Sequence, residues 1–340
     1  MRSDNKRLLR ADLHVHSCRS GYSGQLKFLR ARECYSEPEA VYATAKARGM
    51  DVVTITDHDS IDGCLEFLDH HPDADDFFIS EEIECRFPDV KLKVHIGAYD
   101  INERIHREIQ PLRRNLSEAT AYLRSEGILY ALNHPFFFFK GQVSLEQYLS
   151  AALQLFPAFE VRNGTRSTAH NLLTETIVQE WATASAVPLV LIGGSDSHTL
   201  SGIGSTYTEV SGSNRQEFLQ NLRAGRAGVG GRHGGTFREA REIYGVVTKY
   251  WASLLGFGRQ DLSWRRRALG LAFSAVSMPF EFTPLLVAAL DNRAEVQRVA
   301  AYGREWEFAR SKNNDVRVVV PADEFDRLLV TSNRTAEPLQ

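Results

Sequence analysis

His14-Val15-His16 sets two imidazoles two residues apart. On an extended chain both point to one face and can reach one ion. Asp12, just before them, is a carboxylate able to orient a ligand imidazole. Thr56-Asp57-His58-Asp59 places another imidazole between carboxylates, with Asp59 or Ser60 able to cap a following helix. Glu81-Glu82 follow the apolar run Phe77-Phe78-Ile79. One of the two could bridge a pair of cations, with Glu84 the alternative by alternation. Asn133-His134-Pro135 ends another apolar run, and His95 lies in a further one. In Gly193-Gly194-Ser195-Asp196-Ser197-His198 a carboxylate and an imidazole again stand two apart, behind glycines that permit close backbone approach. Six of eleven histidines (14, 16, 58, 95, 134 and 198) therefore fall in or after apolar runs. Imidazoles and carboxylates without thiolates favour Zn, Mn or Fe. So many donors exceed the needs of one tetrahedral ion, which predicts at least two.

The elements that must hold these groups are short β-rich runs alternating with helical patterns. Predicted strands are Leu9–Leu13, Val52–Thr56, Phe77–Ser80, Lys91–Ile96, Ile128–Leu132, Ala158–Val161 and Leu189–Ile192. They are mostly continuous and apolar, as in strands covered on both faces. Ser36-Glu37-Pro38-Glu39 reads as a capping box opening a helix that stops at Gly49. Asn102 to Glu126 reads as one long helix, Ser144 with Gln147 as a second capping box, and Ser167–Ala186 and Asn214–Ala224 as helices. Glu82–Ile96 alternatively forms a hairpin about Phe87-Pro88-Asp89. This order predicts an α/β fold, either a parallel barrel of the TIM type or a doubly wound sheet. The barrel is favoured because its strand ends converge on one mouth, where distant residues meet. From Thr236 the pattern turns helical: Glu239–Leu255, Trp264–Ser277 and Thr283–Ser311, then a strand at Val316–Val320 and a short helix at Asp323–Val330.

Composition narrows the field. The 40 basic and 43 acidic residues nearly cancel, so there is no bulk charge for nucleic acid. Four cysteines, at 18, 34, 64 and 85, form no C-x-x-C pair and too small a disulfide framework. With no apolar leader near Met1, a cytoplasmic protein with reduced thiols is expected. Ala268–Leu290 is long enough to span a bilayer, but Pro279, Glu281 and Pro284 near its middle predict two buried helices instead.

The motifs Asp12-Leu13-His14-Val15-His16-Ser17, Thr56-Asp57-His58-Asp59, Glu81-Glu82-Ile83, Asn133-His134-Pro135, Glu160-Val161-Arg162-Asn163 and Gly194-Ser195-Asp196-Ser197-His198 resemble, in type and order, the PHP (polymerase and histidinol phosphatase) family. The resemblance covers roughly residues 8 to 235. It implies a distorted (β/α)7 TIM-like barrel with a bi- or trinuclear metal centre and phosphoester hydrolysis, and gives no account of the mainly helical C-terminal region, 236–340. It implies that His14, His16, Glu82 and Asp196 bind a first metal. Glu82 would bridge to a second, held also by His134 and His95, with Asp100 as the alternative to His95. His58 and His198 would belong to a third. The chain departs from the pattern at Ser20-Gly21-Tyr22-Ser23, where the family usually offers an Asp or His. A substitute would come from Tyr22, Cys34 or another group of Gly21–Tyr35.

The expected activity is hydrolysis of a phosphate monoester on a small phosphorylated metabolite or nucleotide, by a hydroxide bridging two of two or three divalent ions. Asp196, His198 and His58 are the expected catalytic groups, and Arg19, Arg162, Asn163, Arg166 and His170 the expected substrate contacts. Two alternatives use other features. Arg265-Arg266-Arg267 with Tyr250, Trp251 and Trp264 could hold a single nucleic-acid strand for a nuclease. A non-enzymatic binding protein would keep the centre as a structural site. The C-terminal helices leave a homo-oligomer open, and no membrane partner is expected.

Overall fold

The computed structural model describes residues 7–23, 27–87, 90–185, 188–257, 262–277 and 283–312. The strand at Val316–Val320 and the helix at Asp323–Val330 expected from the sequence lie outside them. The described elements run β1 (Leu8–Ala11), a 3-10 turn (Lys27–Leu29), α1 (Pro38–Ala47), α2 (Asp62–His70), β2 (Ser80–Arg86), β3 (Lys93–Tyr99), α3 (Glu103–Leu112) and α4 (Leu116–Ser125). They continue with β4 (Leu129–Asn133), α5 (Leu145–Leu155), β5 (Ala158–Asn163), α6 (Thr168–Ser185), β6 (Val190–Gly194), β7 (Thr206–Ser211), α7 (Arg215–Arg223) and β8 (Ala227–Gly231). Three helices close the series: α8 (Thr236–Leu254), α9 (Trp264–Ser277) and α10 (Thr283–Lys312).

The fold is mixed α/β, and its strands form two sheets rather than the expected closed parallel barrel. The larger sheet has the order β2-β3-β4-β5-β6. β2–β3 and β3–β4 are antiparallel, while β4–β5 and β5–β6 are parallel. The smaller sheet, β1-β7-β8, is antiparallel throughout. The β7–β8 hairpin has no counterpart among the predicted strands. The hairpin alternative for Glu82–Ile96 is the pairing found, with Glu82 opposite Gly97.

Val52–Thr56 makes no strand ladder, although the sequence predicts one. Its hydroxyls take over ladder bonds. Thr56 Oγ1 accepts from Val15 N at 3.0 Å, and Thr54 Oγ1 donates to the Phe78 carbonyl at 2.8 Å. Single backbone bridges remain: Val15 with Ser197, Val53 with Phe77 and His58 with Glu82. The Val53 and His58 bridges hold residues 52–58 beside 77–82, and the bond from Thr56 N to the Val15 carbonyl (2.8 Å) holds residue 15 beside them.

Alternation in the large sheet separates core from site. Ile96, Ala98, Tyr130, Leu132 and Phe159 face α3–α6 in one apolar cluster. Tyr99, Leu129, Ala131 and Ala158 pack instead with Leu9, Ala11 and Leu13 in a second. His95 and Asn133 are paired across β3 and β4 and share the parity of Tyr99 and Ala131, so they lie on the inner face.

Local chemistry sets the helix ends. The Ser144–Gln147 capping box forms as expected. The one expected at Ser36 does not: α1 starts after Glu37 with Pro38 in its first turn and no side-chain cap. The long helix expected over 102–126 is two. Pro111 lacks an N–H for the ladder, and the Asn115 side chain caps α4 by accepting from Ser117 N and Glu118 N. α2 starts after Ile61, with neither Asp59 nor Ser60 as its N-cap residue.

The C-terminal helices pack on other helices: α10 on α5, α6 and α8, and α9 on α8 and the 3-10 turn. Val299 and Tyr302 of α10 join the larger core cluster. No helix among the described residues is long and apolar enough to cross a membrane. Glu295 of α10 is buried and accepts from Ser167 N (3.2 Å) and His170 Nδ1 (2.8 Å). Burial opposes its charge, but these donors and Arg166 hold its carboxyl down at about 2, against an ordinary 4.5. The stability this provides is full above pH 4.5 and lost as pH falls toward 2. Glu295→Ala leaves His170 and Ser167 without their acceptor. It is expected to cost about 2–4 kcal/mol in urea melts near pH 7. A loss below about 0.5 kcal/mol, the range of an ordinary surface substitution, would contradict this account.

Candidate metal centre

Glu82 lies within β2 with an exposure of 0%. Strand alternation sends its neighbour Glu81 the other way, to His106 Nδ1 at 2.8 Å. Glu84 has the parity of Glu82 but sits further along the strand and pairs with Lys93 at 2.7 Å. Glu82 is ringed by imidazoles. Its Oε1 is 3.1 Å from His14 Nε2, 3.1 Å from His95 Nδ1 and 3.2 Å from His134 Nε2. Its Oε2 is 2.9 Å from His58 Nδ1 and 3.6 Å from His16 Nε2. One carboxylate therefore presents its two oxygens to two groups of donors, the arrangement a bridging ligand needs.

Asp196 is the second focus. Its Oδ1 stands 3.5 Å from His14 Nε2, 3.4 Å from His16 Nε2 and 3.8 Å from His198 Nδ1. Its Oδ2 accepts from Asn163 Nδ2 (3.1 Å) and Thr165 Oγ1 (2.9 Å), which fixes the carboxylate plane. Asp196 and His134 both adopt positive φ, 50° and 29°, two residues after β6 and directly after β4. That backbone is costly for residues other than glycine and is held by its surroundings. Here it turns both side chains into the common cavity.

The site gathers every predicted ligand. Four triads could each hold an ion: His14, Glu82 and His134; His14, His16 and Asp196; His58, Glu82 and His95; His16, His58 and His198. Asp100 is elsewhere, in an ion pair with Arg223 at 2.6 Å, so His95 is the group that reaches the cluster. His14 Nε2, His16 Nε2, His95 Nδ1 and Glu82 Oε2 are buried and make no hydrogen bond. Buried polar atoms without partners are rare and costly, and here they converge. Burial works to neutralise Glu82 and Asp196, yet the surrounding imidazoles hold both well below the usual carboxylate range. Ionised, buried carboxylates facing imidazole nitrogens are a fitting donor set for divalent cations.

A second ring of bonds orients the donors. Glu160 Oε1 holds His14 Nδ1 at 2.8 Å and its Oε2 accepts from His134 N at 2.8 Å. Asp12, expected to orient an imidazole, instead takes the backbone N–H groups of Ser195 (2.7 Å) and Gly204 (2.6 Å). Burial pushes its carboxyl up to about 6 despite those bonds. Glu242 of α8 is buried and takes His198 N at 3.1 Å. Glu160 stood in a recognised motif but carried no role in the sequence reading. Glu242 gave no signal, because it arrives from a helix 44 residues beyond.

Among the expected substrate contacts, Asn163 is buried against Glu160 and Asp196. Arg166 lies over the Phe137 ring at 4.3 Å, and its Nε donates to Thr165 Oγ1, one bond from Asp196. His170 is buried with Glu295. Arg162 lies 3.8 Å from Glu175. Arg19 is half-exposed and turned to Glu66 at 2.7 Å. The cysteines are all buried free thiols, and none belongs to a donor group.

Residues 179–227 match the PHP-associated family, and these include Asp196 and His198. A 60-residue stretch, 17% of the chain, is 42% identical to an uncharacterized protein of Methanocaldococcus jannaschii, and the match spans only a third of that protein (33%). A two-domain Bacteroides vulgatus protein containing a predicted PHP-like metal-dependent phosphoesterase aligns over 71% of each chain, at 18% identity and a TM-score of 0.47. The lesion-specific endonuclease EndoQ of Pyrococcus furiosus aligns over 87% of this chain and 90% of its own, at 16% identity and a TM-score of 0.44.

Two residues of this cluster carry specific expectations. Glu160→Gln keeps the size but offers His14 Nδ1 a weaker partner. Metal affinity or turnover should fall about 10- to 100-fold, read by metal titration, with fold retained. An unchanged affinity would remove Glu160 from the site. Gly194 lets residues 13–15 cross β6. A Cβ there would meet His14 Cβ at 2.3 Å, His14 N at 2.6 Å and His14 Cα at 2.9 Å. Backbone cannot yield as a flexible side chain does, so Gly194→Ala should cost about 3 kcal/mol or more and displace His14. A thermal melt indistinguishable from wild type would show that the crossing is looser.

Proposed function

We propose that this protein is a metal-dependent phosphoesterase of the PHP type that hydrolyses a phosphate monoester on a small phosphorylated metabolite or nucleotide. The observation that carries the reading is Glu82, one buried carboxylate whose two oxygens face five imidazoles. His14, His16, Glu82 and Asp196 would hold one cation. Glu82, His95 and His134 would hold a second, and His58 with His198 belong to a third position. Bound there, divalent cations supply Lewis acidity toward phosphoryl oxygens and lower the pKa of a water nucleophile. The remaining work falls to side chains. Asp196, braced by Asn163 and Thr165, would orient the attacking water. His198 and His58, each partly exposed, would bind a cation at that third position or, where it is not filled, give a proton to the leaving oxygen. Arg166 is the best placed of the expected phosphate contacts, through Thr165 to Asp196. The backbone bond from Thr56 N to the Val15 carbonyl (2.8 Å) and the single bridge of His58 with Glu82 support reading residues 8–235 as a distorted barrel with an incomplete ladder. Residues 236–340 then form the appended region, whose described helices brace the site through Glu242 and Glu295.

A second reading, cleavage of single-stranded nucleic acid, draws on α9. Trp264 is exposed, and the Arg265 guanidinium lies 5.5 Å from its ring centroid, beside Arg266 and Arg267. One experiment separates the readings. The Mn-loaded protein is assayed on p-nitrophenyl phosphate, a panel of phosphate monoesters, bis-p-nitrophenyl phosphate and a labelled oligonucleotide. Monoester turnover is expected. Diester and oligonucleotide cleavage with strong salt dependence would select the nuclease. A folded, metal-replete sample silent on every substrate would overturn both.

A further inference from the structure

The chain lacks an Asp or His shortly after His16, yet residues from the following insertion return to the centre. Tyr22 and Arg32 form an antiparallel bridge, Ser23 N donates to the Ala31 carbonyl at 2.9 Å, and Glu33 N donates to the Gly21 carbonyl at 3.3 Å. This folded-back strap places the Glu33 carboxylate 3.4 Å from His58 Nε2. The two other candidates in the strap do not face the centre. Tyr22 lies against the Arg30 guanidinium at 4.9 Å, and Cys34 Sγ is bonded to the His16 carbonyl at 3.3 Å.

The Glu33–His58 separation is long for a charge-assisted hydrogen bond, which runs about 2.7–2.9 Å. It matches two donors sharing one ion. Bonds of about 2.1 Å at octahedral to tetrahedral angles put neighbouring donor atoms about 3.0–3.4 Å apart. The contacts of His14 and His16 with Asp196, at 3.5 and 3.4 Å, have the same character. The orienting bond from Glu160 to His14, at 2.8 Å, does not.

We propose that Glu33 is the missing carboxylate ligand of the third cation position, joining His58 and His198. The inference rests on the metal-binding part of the function proposed above and adds a ligand from outside the motif pattern. It also gives the C-terminal helices a positioning role. Leu29 and Ala31 of the strap are buried against Tyr250, Leu254 and Leu262. Phe28 meets Phe273 edge-on with centroids 5.8 Å apart. Arg32 bonds the Cys18 carbonyl and fastens the strap's other side. Glu33 thus reaches His58 from a segment seated on α8 and α9.

The test counts ions and needs no turnover. Full-length wild type, Glu33→Gln, Leu29→Ala and the control Glu39→Gln are stripped with chelator, titrated with Mn²⁺ by calorimetry, and measured by mass spectrometry after desalting. Glu39 pairs instead with His71, and both side chains are exposed. The expected result is three equivalents for wild type and control and two for Glu33→Gln. Leu29→Ala should bind the third ion at least 10-fold more weakly. Equal counts and affinities for wild type and Glu33→Gln would overturn the ligand assignment and leave the phosphoesterase reading intact. A normal third site in Leu29→Ala would overturn the role of the helices. Wild type binding no Mn²⁺ at all would sink the metal-based function itself. Should circular dichroism show Glu33→Gln unfolded, Glu33→Asp keeps the charge on a shorter stem. It should weaken only the third equivalent, and unchanged binding there would again refute the proposal.

Discussion

Glu82→Gln should abolish metal-dependent turnover while its neighbour Glu81→Gln changes it by no more than a few-fold. The contrast follows from strand geometry. Successive side chains of β2 point to opposite faces, so Glu82 meets five imidazoles and Glu81 meets His106 and Gln110. The amide in Glu82→Gln removes the one anion that both donor groups share and turns an N–H₂ toward ring nitrogens. The expected loss in kcat/KM is at least about 1000-fold, equivalent to about 4 kcal/mol of transition-state stabilisation. The bound-metal count should fall with it. The check is steady-state kinetics on whichever phosphoester the screen identifies, paired with metal analysis of the same samples. If Glu82→Gln keeps its metals and its rate, the carboxylate is not a bridge and the centre has been misread.

Chelation should lower the melting temperature by several degrees, and Zn²⁺ or Mn²⁺ should restore it. Ions that bind only the folded chain add about 4 kcal/mol of stability per site at a thousand-fold excess over Kd. The same ions give His14 Nε2, His16 Nε2, His95 Nδ1 and Glu82 Oε2 the partners they otherwise lack. An imidazole-rich donor set is poorly suited to Ca²⁺, which prefers oxygen ligands in larger number. Ca²⁺ at equal concentration should therefore leave the melt where chelator put it. Thermal melts with back-titration measure this. A melt insensitive to chelator, with metal analysis proving removal, would mean that the converging donors do not bind ions tightly.

The cluster of imidazoles and carboxylates was legible in the sequence because each member belongs to a short local pattern. H-x-H, D-x-H and an apolar run ending in His carry their meaning within a few residues. The period of two then tells which side chains share a face. The same logic located β3 to β6 and the hairpin at residue 87, and it located most helices. It failed where non-local contacts rule. Val52–Thr56 has strand composition, but threonine hydroxyls replace its ladder bonds only because Val15 and Phe78 lie alongside. Asp12 sits two residues from His14, yet the 195–204 loop claims its oxygens.

The identity of the donors and their alternation were properties of the polypeptide alone: imidazoles and carboxylates at spacings that share a face, on stretches apolar enough to be buried. Which carboxylate orients which ring, that Glu33 and Glu242 reach the centre, and that Glu295 reaches His170, was decided by tertiary packing. The physical reason is distance along the chain. A side chain that travels on a strap or a distant helix has no local signature, since its place is set by the apolar surfaces that seat its backbone. Leu29 against Leu254 and Tyr302 against Phe139 do that seating, and the acids follow.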